Sequence, residues 1–293
     1  MLATPHSRGN AQSSSRRVGP RGQTVDSQGK RGFKLQVPSM RVSAAIPCNV
    51  SEHSPHTRAK HIKVSNLFNS VSGIVLLRND LGDPIIRTFK NALTSEATRV
   101  LKSWLEREEL VWGPARNPLR LTAWTTDFPC LCTYTYAEQE WATTRWDDTI
   151  KKYAVEVAKF IGHDQNHFNS AVLNKYTTGR AAVGAHADDE DIFGKPQADK
   201  CIASVSVGAP RIFRIENVRT REYVDHTTEN AEILTMERNM QDTRTHAILT
   251  STDNSVRYNI TFRRIVEHCA HCPCRRVGRT PSRTSSFSGR PVD

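Results

Sequence analysis

A His-x-Asp pair, His186 and Asp188, stands near the end of the stretch VLNKYTTGRAAVGAHADDE, which runs from Val172 to Glu190. The pattern of this stretch predicts a strand, a turn, a second strand and an acidic exit. In a β-strand, residues two apart point to the same face of the sheet. Both side chains are therefore able to reach one metal ion.

A second group of polar side chains lies on the predicted strand RYNITFR. Its apolar residues alternate with a polar row made of Arg257, Asn259, Thr261 and Arg263. In an ordinary half-buried strand such a row faces water. Two arginines on one face also suit a carboxylate, because a guanidinium group holds it with two charge-assisted hydrogen bonds.

A metal site built on His186 and Asp188 needs a third ligand. Two His and one carboxylate on one face of an iron ion leave three positions open, which is typical of non-haem Fe(II) oxygenases. His246 begins an apolar run ahead of the polar row, and it is the third ligand that we predict. His226 is the alternative, but it lies in the polar stretch 223–230, which we predict to be a loop.

Two helices and a series of short strands must position these residues. The first helix has its apolar face over residues 97–105 and is capped by Thr94 or Ser95, and the second spans residues 146–161. From Ala171 the pattern changes to short β-runs with turn signals between them, which predicts a sandwich or jelly roll. These runs are 171–176, 182–186, 202–207, 211–215, 231–235, 246–250 and 256–262, after two earlier ones at 74–77 and 85–86. The predicted fold class is mainly β with flanking helices.

The two ends of the chain differ from its middle. The formal net charge is +11 over 293 residues, and 37% of the residues are hydrophobic. Residues 1–63 hold eleven Lys or Arg against two acidic residues and show almost no aliphatic periodicity, so we expect a disordered basic tail. The tail suits either a solvated role or an electrostatic arm for nucleic acid. We expect one domain over 64–267 and a second basic tail, with Cys and Ser, over 268–293.

The C-terminal tail begins with the segment HCAHCPC, residues 268–274. Its Cys and His residues make half of a zinc site, and a full structural site usually needs a second ligand pair. No second pair is obvious in the sequence, so we predict that these cysteines are incidental. The seven cysteines form no secreted framework, and no segment is typical of a signal peptide or a membrane span. We expect an intracellular protein, nuclear or cytoplasmic, without membrane contact.

Taken in order, these segments resemble the AlkB family of iron- and 2-oxoglutarate-dependent dioxygenases. The resemblance covers roughly residues 90–266. The segments that carry it are Asn174-Lys175-Tyr176, His186-Ala-Asp188-Asp-Glu190, Ala203-Ser-Val-Ser-Val-Gly208, Arg211-Ile-Phe-Arg214 and Arg257-x-Asn259-x-Thr261-x-Arg263. The chain departs from the family pattern around His246, where no aromatic residue precedes the His and no Pro follows it.

The resemblance implies a double-stranded β-helix, or jelly roll, as the core of the domain. It also implies a role for each matching residue. The residues that it assigns to Fe(II) are His186, Asp188 and His246. The residues that it assigns to 2-oxoglutarate are Asn174, Tyr176, Arg257, Asn259 and Arg263. Arg257 is expected on the distal carboxylate, and Arg263 near the keto-acid end or the substrate.

AlkB-like enzymes use Fe(II), 2-oxoglutarate and O2 to demethylate N-alkylated nucleobases, releasing formaldehyde, succinate and CO2. The residues that the resemblance assigns to the base are Trp124, Tyr134, Tyr136 and Glu190, although Trp124 suits core packing about equally. Stacking plus one carboxylate fits a flipped cationic base such as 1-methyladenine or 3-methylcytosine. The expected partner is DNA or RNA, and the expected state is a monomer. The alternatives are an AlkB-like oxygenase for a protein or lipid, and a non-catalytic nucleic-acid-binding module.

Overall fold

The computed structural model describes residues 66–195 and 200–276. The predicted N-terminal tail, 1–63, lies outside the described residues, as does the part of the C-terminal tail after residue 276. None of the described helices is both long and apolar enough to cross a membrane.

The described chain contains fifteen strands and three α-helices. In chain order the elements are β1 (Ile74–Arg78), β2 (Pro84–Phe89), α1 (Ser95–Leu105), β3 (Gly113–Pro114), β4 (Arg120–Thr126), β5 (Tyr134–Tyr136), β6 (Gln139–Trp141), β7 (Thr143–Arg145), α2 (Asp148–Phe160), β8 (Ser170–Tyr176), β9 (Val183–His186), β10 (Cys201–Gly208), β11 (Arg211–Asn217), β12 (Tyr223–Thr228), β13 (Ile233–Glu237), α3 (Met240–Thr243), β14 (Arg244–Ile248) and β15 (Arg257–Arg263).

The strands form two larger sheets and one hairpin. The nine-stranded sheet has the order β1-β2-β13-β10-β15-β8-β4-β3, and β7 pairs with β4. The four-stranded sheet has the order β12-β11-β14-β9, while β5 and β6 form the hairpin. Every pairing in the four-stranded sheet is antiparallel, and the only parallel pairing among the described strands is that of β4 with β7.

Residues from both sheets share one apolar core. Ile86 and Tyr176 of the larger sheet belong to the same buried cluster as Phe213, Ile215 and Ile248 of the smaller sheet. Two antiparallel sheets packed face to face in this way form a jelly roll. The predicted fold class, mainly β with flanking helices and a double-stranded β-helix core, is confirmed.

The two long helices cover the larger sheet, and their ends are fixed by side chains. The N-cap Thr94 accepts a hydrogen bond from the Ala97 amide, and Asp147 caps α2 by accepting from the Thr149 and Ile150 amides. The indole N–H of Trp104 donates to the Asp147 carboxylate at 3.1 Å, which ties α1 to the start of α2. These contacts hold the helices on the face of the sheet that lies away from the smaller sheet.

The two rows of side chains on strand β15 lie on opposite faces of the larger sheet, and both rows are buried. Tyr258, Ile260 and Phe262 pack in the cluster that contains the helices. The opposite polar row is also buried, with Arg257 only 1% exposed and Arg263 only 4% exposed. In an ordinary half-buried strand the polar row would face water. In β15 the polar row lies inside the jelly roll instead.

The segment around His226 differs from the prediction. Residues 223–228 form strand β12, which pairs with β11 along its full length, and the predicted loop is wrong there. The stretch is polar because β12 is the edge strand of the smaller sheet, so most of its side chains remain exposed. An edge strand needs apolar side chains at few of its positions, and the sequence pattern of β12 consequently looks like that of a loop.

Candidate active site

Two neighbouring strands of the smaller sheet bring His186 and His246 together. The two residues are directly paired across β9 and β14, and Asp188 follows His186 where β9 ends. The Nε2 atoms of His186 and His246 lie 3.6 Å from Oδ1 and Oδ2 of Asp188, respectively. One ligand atom from each of the three residues lies within 4.8 Å of the others, so a single ion can contact all three.

The hydrogen bonds around the three residues prepare them as ligands. The Nδ1 atom of His186 lies 2.8 Å from the Gly184 carbonyl oxygen, which fixes the proton on Nδ1 and leaves Nε2 for a metal. Burial and the nearby His186 lower the pKa of His246 to about 3, which keeps its imidazole neutral. Gln241 accepts a hydrogen bond from the backbone N–H of Asp188 at 2.9 Å.

Arg263 keeps the Asp188 carboxylate ionised. Burial raises the pKa of this carboxyl group, but Arg263 and the two histidines outweigh that effect and lower it to about 2. The Nη2 atom of Arg263 donates to Asp188 Oδ1 at 2.8 Å. Two neutral imidazoles and one carboxylate are the donor set that suits Fe(II) with three open positions, so these residues fit the metal.

Arg257 is a buried cation with donors to spare. Its Nη2 donates to Ser206 Oγ at 3.0 Å and lies 3.5 Å from Thr228 Oγ1. Within the described part of the chain, its Nε and Nη1 have no hydrogen-bond partner, and no carboxylate lies within 4.0 Å of its guanidinium. An unpaired buried charge is costly, and an anionic ligand would remove that cost. A dicarboxylate such as 2-oxoglutarate fits this position.

The strand register lines up the other predicted co-substrate residues beside Arg257. Tyr176 is the direct cross-strand partner of Arg257, and Asn174 is that of Asn259. The guanidinium of Arg257 lies 5.1 Å from the centre of the Tyr176 ring. The arrangement therefore brings the four residues into two adjacent rows across β8 and β15.

The side-chain amides of Asn174 and Asn259 differ in which of their atoms form hydrogen bonds within the protein. The Asn259 amide nitrogen donates to Ser204 Oγ at 2.7 Å and to the Val205 carbonyl, and its oxygen accepts from Thr261. Asn259 therefore already supports the neighbouring strand β10. The Asn174 oxygen accepts from Arg120 at 2.8 Å and from Thr122 at 3.2 Å, so its hydrogen bonds within the described part of the chain use the oxygen and leave the amide N–H groups for a ligand.

A chain of polar contacts leads from the metal ligand to Glu190. Arg263 contacts Asp188 with Nη2 and Glu190 Oε2 with Nη1, the latter at 3.4 Å. The Tyr134 hydroxyl donates to the other Glu190 oxygen at 2.5 Å. Burial raises the pKa of the Glu190 carboxyl group even though the Arg263 charge lowers it. The Arg263 guanidinium thus bridges Glu190 and the candidate iron ligand Asp188.

The three aromatic residues predicted to contact the base occupy different environments. Trp124 is 1% exposed, stacks on Tyr134 at 5.0 Å between ring centres, and donates its indole N–H to the Cys132 carbonyl at 2.8 Å. These contacts favour the core-packing interpretation of Trp124. Tyr136 is only half-buried, and its ring lies edge-on to the His186 ring at 5.7 Å. Of the three, Tyr136 is the aromatic residue that a ligand reaches most directly.

A cleft of about 370 Å³ opens beside Tyr136. It runs between the segment before β4 and strand β9, and its lining includes Arg116, Arg120 and Ala185. Tyr136 lines the cleft and its ring contacts that of the candidate iron ligand His186, so the cleft lies beside the metal site. Arg116 is exposed and offers a positive charge at this opening.

Several residues of the site were missed by the sequence-based reasoning. Ser206 and Thr228 contact the Arg257 guanidinium, Arg120 contacts Asn174, and Gln241 holds the Asp188 backbone. Each of these four residues is polar and buried, and Ser206 lies on the largely apolar strand β10. That combination was visible for Ser206 in the run Cys201–Gly208, but nothing in the sequence connects it to a strand fifty residues later.

His226, the alternative third ligand, lies elsewhere. Its Nε2 is 2.5 Å from Oε1 of the fully buried Glu232, which also accepts from the Thr88 hydroxyl. His226 is not a member of the group of side chains that can share an ion with Asp188. It links the two sheets instead.

Comparisons with known proteins agree with this geometry. Residues 99–263, more than half of the chain, match the family model described as the 2OG-Fe(II) oxygenase superfamily. Over 115 residues the chain is 30% identical to "Alpha-ketoglutarate-dependent dioxygenase alkB homolog 3" from Bos taurus, a match that covers 38% of this chain and 36% of that relative. The chain thus matches little more than a third of the length of this curated relative.

A solved structure, "The structure of OsALKBH1", superposes with a TM-score of 0.48 at 13% identity, over 64% of this chain and 98% of that one. The matched range of the family model contains the candidate iron ligands and the whole of strand β15. The chain therefore belongs to the 2OG-Fe(II) oxygenase superfamily, whose members use Fe(II), 2-oxoglutarate and O2, and within it the chain is AlkB-like.

Proposed function

We propose that this protein removes N-methyl groups from cationic nucleobases, of the 1-methyladenine and 3-methylcytosine type, in DNA or RNA. In this proposal His186, Asp188 and His246 hold Fe(II), and Arg257 binds the distal carboxylate of 2-oxoglutarate. The bound metal, with 2-oxoglutarate and O2, supplies the oxidising chemistry. The residues of the chain orient the metal and co-substrate, exclude water and hold the base.

The observation that carries the proposal is the position of Glu190. Its side chain is 15% exposed, and it is joined through Arg263 to Asp188. A buried carboxylate is costly unless a positive group compensates it, and Arg263 is already shared with Asp188. A cationic methylated base would supply further positive charge at Glu190, whereas a neutral aliphatic substrate would not.

The surroundings of Glu190 also suit a base. Tyr134 holds one oxygen of the carboxylate, and the rings of Tyr134 and Tyr136 are parallel, with centres 6.5 Å apart. Aromatic side chains provide stacking surfaces for extruded bases. In this proposal Arg116, which lines the neighbouring cleft, would contact a backbone phosphate.

The full chain can be tested on single- and double-stranded oligonucleotides that carry 1-methyladenine or 3-methylcytosine. The reaction contains Fe(II), 2-oxoglutarate and ascorbate, and mass spectrometry follows the loss of one methyl group while formaldehyde and succinate are measured. We expect the demethylated base, formaldehyde and succinate to form in equal amounts. A His186→Ala variant serves as the inactive control, because it lacks a candidate metal ligand.

The same assay addresses the alternative substrates. Succinate formed on a methylated peptide or a lipid, with no change in any oligonucleotide, would overturn the demethylase proposal and leave the oxygenase family intact. Oligonucleotide binding without any 2-oxoglutarate turnover on the substrates tested would favour the non-catalytic binding module.

A further inference from the structure

A second group of potential metal ligands lies apart from the iron site. Cys130 and Cys132, in the segment between β4 and β5, meet His268 and Cys272 of the C-terminal segment. One ligand atom from each of the four residues lies within 4.8 Å of the others. The three cysteines are buried, and His268 is half-buried. The C-terminal segment was predicted to hold half of a zinc site. Cys130 and Cys132 supply the second ligand pair, and Cys132 lies 136 residues before His268 in the chain.

Four of the six ligand-to-ligand distances in the group match the edges of a tetrahedron around zinc. Bonds of about 2.3 Å to sulfur and 2.0–2.1 Å to nitrogen give tetrahedral edges of about 3.8 Å between sulfurs and about 3.5 Å between sulfur and nitrogen. The sulfurs of Cys130 and Cys272 are 3.7 Å apart. The His268 Nδ1 atom lies 3.6 Å from Cys130 Sγ, 3.6 Å from Cys132 Sγ and 3.4 Å from Cys272 Sγ.

A disulfide does not explain this arrangement. Disulfide sulfurs lie about 2.05 Å apart, and the three cysteines of the group are all free, as are the neighbouring Cys269 and Cys274. The backbone also favours thiolates, because the Cys269 N–H points at Cys132 Sγ from 3.3 Å. Three cysteines and one histidine are a ligand set of structural zinc sites.

We propose that Cys130, Cys132, His268 and Cys272 bind one Zn²⁺ ion with a structural role. Four protein ligands fill the tetrahedron and leave no position for substrate, which distinguishes a structural from a catalytic zinc site. The ion would fasten the C-terminal segment to the segment that leads into β5. This inference does not depend on which substrate the iron site oxidises.

The proposed zinc site is connected to Glu190, beside the candidate iron site, through contacts of Trp124 and Tyr134. Cys132 is two residues before Tyr134, and its carbonyl accepts the Trp124 indole N–H. Trp124 in turn stacks on Tyr134, whose hydroxyl holds Glu190. The ion would therefore fix the start of β5 and, through it, the position of the Tyr134 hydroxyl.

The zinc proposal can be tested on the full-length protein purified without added metal. Elemental analysis is expected to find one zinc per chain in the wild type and in His186→Ala, which removes the iron site as a source of zinc. After exchange with Co²⁺, intense sulfur-to-cobalt absorption and the visible bands of tetrahedral cobalt are expected, since the iron site contains no sulfur ligand.

The chain offers matched pairs of variants. Cys272→Ser should weaken Co²⁺ binding and reduce the sulfur-to-cobalt absorption, because it removes one of three sulfur ligands, while Cys269→Ser, whose side chain is exposed, should leave that absorption unchanged. His268→Ala should weaken Co²⁺ binding at least tenfold, and His271→Ala should leave it unchanged. Equal losses within either pair would overturn the assignment. If Cys272→Ser does not fold, the wild-type spectrum decides, because a wild-type chain with neither zinc nor the cobalt–sulfur absorption would also overturn it.

Discussion

Replacing Arg257 with Met tests the proposed co-substrate site most sharply, because it removes a buried charge while keeping most of the side-chain volume. The guanidinium is 1% exposed, and two of its nitrogens have no partner among the described residues. Two charge-assisted hydrogen bonds to a carboxylate contribute about 3–6 kcal/mol, at about 1.5–3 kcal/mol each. The dissociation constant of 2-oxoglutarate should therefore rise roughly 10²- to 10⁴-fold.

The same substitution should not weaken the protein without its ligand. Burying a cation without an anionic partner costs several kcal/mol, whereas the hydrogen bonds to Ser206 and Thr228 contribute about 1 kcal/mol each. We expect the ligand-free Met variant to have a free energy of unfolding at least equal to that of the wild type. Only the wild type should gain stability from 2-oxoglutarate, by about 2.7 kcal/mol at a hundred times the dissociation constant.

Calorimetric titration with 2-oxoglutarate, in the presence of Mn²⁺ as a redox-inert metal, measures the affinity, and chemical denaturation measures the stability. Arg214→Met is the matched control, because Arg214 lies on the exposed side of β11 and pairs with Asp225. An unchanged 2-oxoglutarate affinity in Arg257→Met, or an equal loss in Arg214→Met, would refute the role assigned to Arg257.

Three further predictions concern the substrate side and the scaffold. Glu190→Gln should lower kcat/KM for 3-methylcytosine by roughly 10- to 100-fold, the value of one charge-assisted hydrogen bond, but should leave the neutral base 3-methylthymine unaffected; a similar loss on both bases would contradict an electrostatic role. Gly179→Ala should cost about 1–3 kcal/mol in urea denaturation, because the added Cβ would clash with the carbonyl oxygens of Ser251 and Asp253, and full stability would show that this turn shifts freely. Thr94→Ala should cost about 1 kcal/mol by removing the cap of α1 without altering 2-oxoglutarate affinity, and a change in that affinity would show that the helix reaches the site.

The sequence predicted the elements whose patterns are local. The amphipathic helix α1 begins at Ser95 after its cap Thr94, and β8 and β15 lie within one residue of their predicted bounds. The alternation of β15 also identified the two rows of side chains, because residues two apart share a face. The sequence could not tell whether the polar row faced water or the interior, since that depends on the second sheet.

The sequence pattern could not predict contacts between segments that lie far apart along the chain. The pair Cys130 and Cys132 meets Cys272 because the segment after β4 and the segment after β15 pack in one buried cluster, and no spacing rule connects them. Cys272 is buried in the same cluster as Trp124, so the folded part extends past the predicted boundary at residue 267. Trp124 itself is a hydrophobic strand residue, and only the fold shows that its indole is covered.

The third ligand is the point at which the sequence pattern departed from the family, so the most direct test of the account is made at His246. Anaerobic addition of Fe(II) and 2-oxoglutarate should produce the visible charge-transfer absorption of the metal–keto-acid complex in the wild type. His246→Ala should lose this absorption, whereas His226→Gln, which retains a donor to Glu232, should keep it. Absorption that persists in His246→Ala and disappears in His226→Gln would contradict the assignment of His186, Asp188 and His246 as the iron site.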